Sequence, residues 1–298
     1  MVFEARPGAS DKRGFNPRPS LRRKTPFIKH RIGAEKILSD PVREQAPEYI
    51  YDSDITNPKI INLFSQSNKL NLTVGWSSIS TVNVRADYLG IEGWVLKNIN
   101  LTIDLTKKGK NGLDVGSEQA NTWYAIWVIY NEVTNETAGL FSLSQTAPTM
   151  PPDFTAKRRV NWVFNDSISN ILGFYNHQNW QFWNQRITLL NTATPATIFT
   201  DIDASIAMPP TARLIQVYAS IHSDTSQTST LSIRRNGSGE TIGDCLMIFI
   251  GPVATAFAAY IGGSILIPTD ENQIFEYKAS AGAENVKIYA TGFFNLEE

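Results

Sequence analysis

Trp123-Tyr-Ala-Ile-Trp-Val-Ile-Tyr130 is a near-continuous apolar and aromatic run, and its reading decides the fold. It is too short and too rich in β-branched and aromatic residues to prefer a helix. It reads as a strand buried on both faces, the central strand of a sheet. Asn131 to Glu136 supplies a turn, and Gly139 to Ser144 the next strand. Pro148 to Pro152 is a rigid loop, because each proline fixes φ and removes a donor. Arg159 to Phe164 then returns as a strand with Val160, Trp162 and Phe164 expected on one face. Gly173-Phe-Tyr-Asn-His-Gln-Asn-Trp-Gln-Phe-Trp183 closes the stretch. Five of the seven tryptophans fall between Thr122 and Trp183, so the core should lie here.

Period-two alternation extends the pattern outward. Asn71 to Trp76 and Ser80 to Arg85 alternate, each placing one face in a core. In Val95 to Leu105, Val95, Ile99, Leu101, Ile103 and Leu105 should point one way, and Asn98, Asn100, Thr102 and Asp104 the other. After Arg186 the pattern restarts. Met208-Pro-Pro210 precedes the strand Arg213 to Ile221, as Met150-Pro-Pro152 precedes Lys157 to Phe164, which suggests two modules on one plan. Further strands follow at Leu231–Arg235, Cys245–Ile250, Gly263–Ile267, Gln273–Lys278 and Asn285–Gly292. Short strands at regular spacing with glycine and serine turns predict an all-β chain of antiparallel, jelly-roll-like β-sandwich modules behind an extended N-terminal arm. The expected division is an arm over 1–48, a first sandwich over 49–190 and a second over 191–298.

Charge is distributed unevenly. Residues 1–36 hold ten Lys and Arg against three acidic residues, a net of +7, which leaves −8 for the remainder of a chain whose total is −1. Arg13, Arg18, Arg22, Arg23, Lys24, Lys29 and Arg31 are the candidate docking residues of this arm. No aromatic or glycine repeat accompanies the charge, so nucleic acid is not the expected partner. The lone Cys245 forbids an internal disulfide and a cysteine-based zinc site. No stretch reaches eighteen apolar residues, and Cys245 to Ile267, the nearest approach, is broken by Gly251-Pro252, Gly262-Gly263 and Pro268, so no spanning helix is expected. The N-terminus lacks the apolar core of a secretory signal.

The catalytic inventory is thin, and neither an enzyme nor a cofactor is expected. His30, His177 and His222 are scattered, with no His-x-x-x-His or Glu-x-x-His pair to hold a metal. His222 and Asp224 read as a polar loop, since no Gly-x-Ser-x-Gly turn offers a nucleophile. Asp52 with Asp54 and Asp201 with Asp203 are the carboxylate pairs to compare with a glycosidase, which needs a separation of about 5–10 Å. Nothing else marks them, so they read as solvated loops. Gly237-Ser-Gly-Glu-Thr-Ile-Gly243 lacks the Lys-Ser/Thr of a phosphate loop and reads as a hairpin turn. Tyr175, Trp180 and Trp183, among asparagines and glutamines, are candidate glycan or interface aromatics, because flat rings beside amides suit a pyranose.

The central stretch resembles a β-rich module of tail and other virion proteins of double-stranded DNA bacteriophages. The likeness is carried by Trp123-Tyr124 to Asn131, Thr134 to Gly139, Leu140 to Ser144, Pro148-x-x-Pro151, Phe154-Thr155, Arg158-Arg159-Val160 and the aromatic ending Phe174 to Trp183. These are turn and packing residues. Asn161 departs from the pattern, where a small glycine is expected. The resemblance implies a virion location and a structural role, most simply a tail or fibre subunit gripping neighbouring virion proteins by its arm and associating as a homotrimer. A capsid-surface or head-decoration protein, or a module binding host-surface glycan, are the alternatives.

Overall fold

The computed structural model describes residues 69–177, 179–223, 228–251 and 259–295. All belong to one compact unit, Tyr49–Glu298. The arm residues, His30, Asp52, Asp54 and Asp224 lie outside the described residues.

The described residues hold strands and turns and no helix, as the alternation requires. The first sandwich contains β1 (Lys69–Leu70), β2 (Thr73–Trp76), β3 (Thr81–Ile91), β4 (Trp94–Asp104), β5 (Gly112–Leu113), β6 (Thr122–Asn131), β7 (Glu136–Ser142) and β8 (Ala156–Asn165). In one sheet β3 is flanked by β4 on one side and by β1 and β2 on the other; the second runs β5-β7-β6-β8. Glu92 and Gly93 join β3 to β4 with φ of 33° and 93°, the doubly positive pair that fits the twist of a tight hairpin. Asn131 Oδ1 accepts from the backbone N–H of Val133 and Thr134, which fixes the β6–β7 turn. The two sheets come so close at β7 that Gly139 lies directly against the Ile103 side chain of β4, leaving no room for a Cβ.

β6 is central and buried on both faces, as expected. Tyr124, Ile126, Val128 and Tyr130 join the main core, while Ala125, Trp127 and Ile129 form a second cluster with Trp162 under Phe154 and Met150. The proline loop thus covers the back of this sheet. Two details of register differ from expectation. In β4 Asn98 adopts φ 52°, which breaks the alternation, so Leu96 is buried and Val95 only partly. In β8 Val160 is an extra residue between the pairs Trp127↔Arg159 and Ile126↔Asn161. With this bulge Val160, Val163 and Phe164 join the main core while Trp162 joins the second cluster, so Val160, Trp162 and Phe164 do not share one face as expected.

The second sandwich contains β9 (Phe174–His177), β10 (Trp180–Thr192), β11 (Thr200–Asp203), β12 (Leu214–Ser223), β13 (Ser229–Arg235), β14 (Leu246–Ile250), β15 (Ala259–Pro268), β16 (Ile274–Ala279) and β17 (Asn285–Phe294). Its sheets run β15-β12-β17-β10-β9 and β11-β16-β13-β14. β10 pairs with β17, β11 with β16, β12 with β15 and β13 with β14. β12 also pairs with β17, and β13 with β16. A long ribbon of strand pairs rolled in this way is a jelly roll, to which β9 adds an edge strand. The division expected between 190 and 191 falls inside β10, which is paired to β9 and β17 and contains no linker. The change of sandwich comes before β9. The two Met-Pro-Pro segments also lead to different places, β8 at a sheet edge and β12 inside a sheet.

The sandwiches share one core. Trp123 packs against Phe164, Trp183 and Phe293 with ring centroids 5.2, 5.9 and 5.8 Å away, and its Nε1–H donates to Ser205 O at 2.7 Å. Beside these rings, Asn161 Nδ2 of β8 donates to Gln181 Oε1 of β10, and Asn295 Nδ2 donates to Asn161 Oδ1, both at 2.9 Å. All three amides are buried. Asn161→Ala should therefore strand an acceptor on Gln181 and a donor on Asn295, and lower stability by about 1–3 kcal/mol per stranded group. Chemical denaturation measures this against Glu132→Ala, an exposed control expected within about 0.5 kcal/mol of the parent.

Candidate interaction surface

Among the described residues no group of three His, Cys, Asp or Glu is placed to hold a metal ion, and no helix is long and apolar enough to cross a membrane. Asp201 and Asp203 lie exposed on β11, and Asp203 Oδ1 accepts from Ser205 N at 2.8 Å. Asp203 thus caps a turn. His222 Nδ1 lies 3.3 Å from Glu284 Oε2 across the β12–β17 pair. His177 is exposed at the end of β9, opposite Trp180. These groups are separate and do not converge on a common point of reaction.

Gly237–Gly243 lies in the connection between antiparallel β13 and β14, as its composition suggested. Asp244 holds that connection together. Its carboxylate accepts from Arg235 N and Nε, both at 3.0 Å, and from Ser238 Oγ at 3.0 Å. Burial alone would raise its pKa, but the hydrogen bonds from Arg235, Cys245 and Ser238 bring it down to about 2. The neighbouring Cys245 thiol is pushed up to about 11 by burial and by Asp244, so it stays protonated and is a poor nucleophile near neutrality.

The aromatic segment divides by strand geometry. Trp183 is not part of a surface. It is buried, donates from Nε1 to Ala207 O at 3.1 Å and belongs to the junction with Trp123. Residues three apart on a strand point to opposite faces, so Trp180 and Trp183 cannot form one platform. The partner of Trp180 on its face is Phe182, two residues on. Tyr175 lies opposite Phe182 with centroids 5.1 Å apart and planes at 20°, and Trp180 stacks on Phe182 at 5.9 Å and 21°. Phe294 of β17 meets Trp180 edge-on at 5.2 Å. Gly292 makes room for this row, since a Cβ there would meet Phe182 Cδ1 at 3.1 Å.

Tyr175, Phe182 and Trp180 form a row of stacked rings that Phe294 closes edge-on. A pyranose stacks on an exposed ring, and Tyr175, 54% exposed, is the most exposed ring of the stack, while Phe182 and Trp180 are half-buried. Phe182 and Phe294 were legible only through the strand period, which links i to i+2.

The Asp244 geometry has a consequence for acid stability. A carboxyl with a depressed folded pKa contributes stability that is full above its ordinary value, 3.8, and is lost as pH falls through about 2. Asp244→Asn should flatten that part of the acid limb, read as Tm against pH, and leave the slope near neutrality unchanged. No protein-family model matches this chain, and no curated protein matches it in sequence.

Proposed function

We propose that this chain is a structural, non-catalytic virion subunit, of the bacteriophage tail or fibre kind, that grips its particle through the basic N-terminal arm and associates with copies of itself. The observation that carries the reading is the combination of a jelly roll with a preceding arm of net charge +7. Jelly rolls are double-sheet sandwiches that recur in viral capsid domains. A basic, proline-bearing arm loses chain entropy on docking and gains charge-assisted bonds to acidic neighbours. Arg13, Arg18, Arg22, Arg23, Lys24, Lys29 and Arg31 supply the charge.

A capsid-surface position is the second reading, and the rolled eight-strand topology favours it, because capsid domains use the same architecture. The glycan reading narrows to Tyr175 and has less support, since its neighbours cover one another's ring faces.

Deleting residues 1–48 cuts no described strand, so the β-rich circular dichroism spectrum should survive while incorporation into particles falls about tenfold or more. Arg22→Glu/Arg23→Glu/Lys24→Glu should reproduce part of that loss, and the parent's binding should weaken as salt screens the arm. Unchanged incorporation of the deleted chain, measured by mass spectrometry of purified particles, would remove the arm from the mechanism.

A further inference from the structure

Among the described residues one side of the jelly roll differs from the charged borders formed by β4, β8 and β11. Among the described residues β14 pairs only with β13, and β15 only with β12, so each ends its sheet. From Cys245 to Ile267 the sequence contains no Asp, Glu, Lys, Arg or His. Met247 and Phe249 point outward from β14 and are 39% and 53% exposed; Ile261 and Leu266 of β15 are 43% and 42% exposed. Other borders are guarded. β11 carries Asp201 and Asp203, β4 carries Lys97 and Asp104, and β8 carries Lys157 and Arg159. β9, the opposite border of the β15 sheet, is only four residues long and includes His177. Charge, proline and shortness are the usual means of keeping an edge from recruiting another strand. β14 has no charge and no proline.

We propose that the β14 edge docks a second copy of this chain, β14 pairing antiparallel with β14 of that copy across a two-fold axis. Charge identifies the occupant. A partner edge bearing Lys, Arg or Asp, like β4, β8 or β11, would bring charge against Met247 and Phe249 without a counter-charge, at a desolvation cost. A second β14 brings none. Centred on Ile248, the pairing sets Met247 opposite Phe249 and Leu246 opposite Ile250, so each outward side chain meets an apolar one twice by symmetry. It joins two four-stranded sheets into one. The Asp244–Arg235 clasp fixes the turn that leads into β14. The proposal rests on the reading of the chain as an assembling subunit and gives that assembly a surface.

Sedimentation equilibrium of the purified full chain tests it with two variants. Met247→Lys/Phe249→Lys sets like charges opposite each other at both symmetry-related pairs and should raise the dissociation constant about tenfold or more. Met247→Lys/Phe249→Glu sets opposite charges there and should recover association, in a form weakened by salt. Both positions are exposed, and thermal unfolding near the parent's Tm confirms that each variant is folded. A monomeric parent, or equal association of the two variants, overturns the pairing. If the parent is monomeric but its arm still directs it into particles, the edge pairing is wrong and the virion reading stands. If the charge swap behaves as expected but the chain never enters particles, the pairing stands and the virion reading fails.

Discussion

Everything in the described unit depends on the buried contact of Asn161, Gln181 and Asn295 beside the Trp123–Trp183–Phe293 cluster. Three amides removed from water require one another, because a buried donor or acceptor without a partner costs more than a made bond returns. The requirement reaches β8 of the first sandwich, β10 of the second and the residue after β17. An apolar junction could slide along its rings at little cost, whereas here Asn161 reaches both Gln181 and Asn295 in one register. The contact sits where one apolar core runs through both sandwiches.

The same contact ties the end of the chain to its middle. β17 lies between β10 and β12 and pairs with both, so the larger jelly-roll sheet is incomplete until the last strand is inserted. Asn295 follows immediately and closes the amide chain. Pairings between strands about a hundred residues apart carry a large loop-closure entropy and form late in folding. The first sandwich is built more locally, from the β3–β4 and β6–β7 hairpins with short turns.

What was legible in the sequence was periodic. The run from Trp123 to Tyr130, buried on both faces, the alternating strands after Arg213 and the turn over Gly237–Gly243 could be read because pattern and composition agreed. What was not legible depends on single residues whose conformation is set by distant contacts. The positive φ of Asn98 and the bulge at Val160 each displace a strand by one position, and no periodicity announces them. Asn161 stood out only as a departure from an expected glycine. Its role needed Gln181 and Asn295, which lie twenty and 134 positions further on. Trp183 was grouped with Trp180 by proximity in sequence, and strand geometry sends the two to opposite faces. The boundary near 190 failed for a related reason: a break in apolar pattern within β10 reflects its irregular pairing with β17, not a domain end.

The distribution of charge then says where interactions with other molecules belong. Positive charge is concentrated before the sandwiches, in a segment rich in proline, while the exposed borders of most sheets carry enough charge to resist strand addition. The described carboxylates and histidines are spread among turns and pairs and are used to fix loops, as Asp244 and Asp203 do. Here chemical character is concentrated elsewhere, in a cationic arm and an uncharged edge. In the proposed assembly the arm's charge attracts an acidic neighbour, and the edge pairs with a strand like itself.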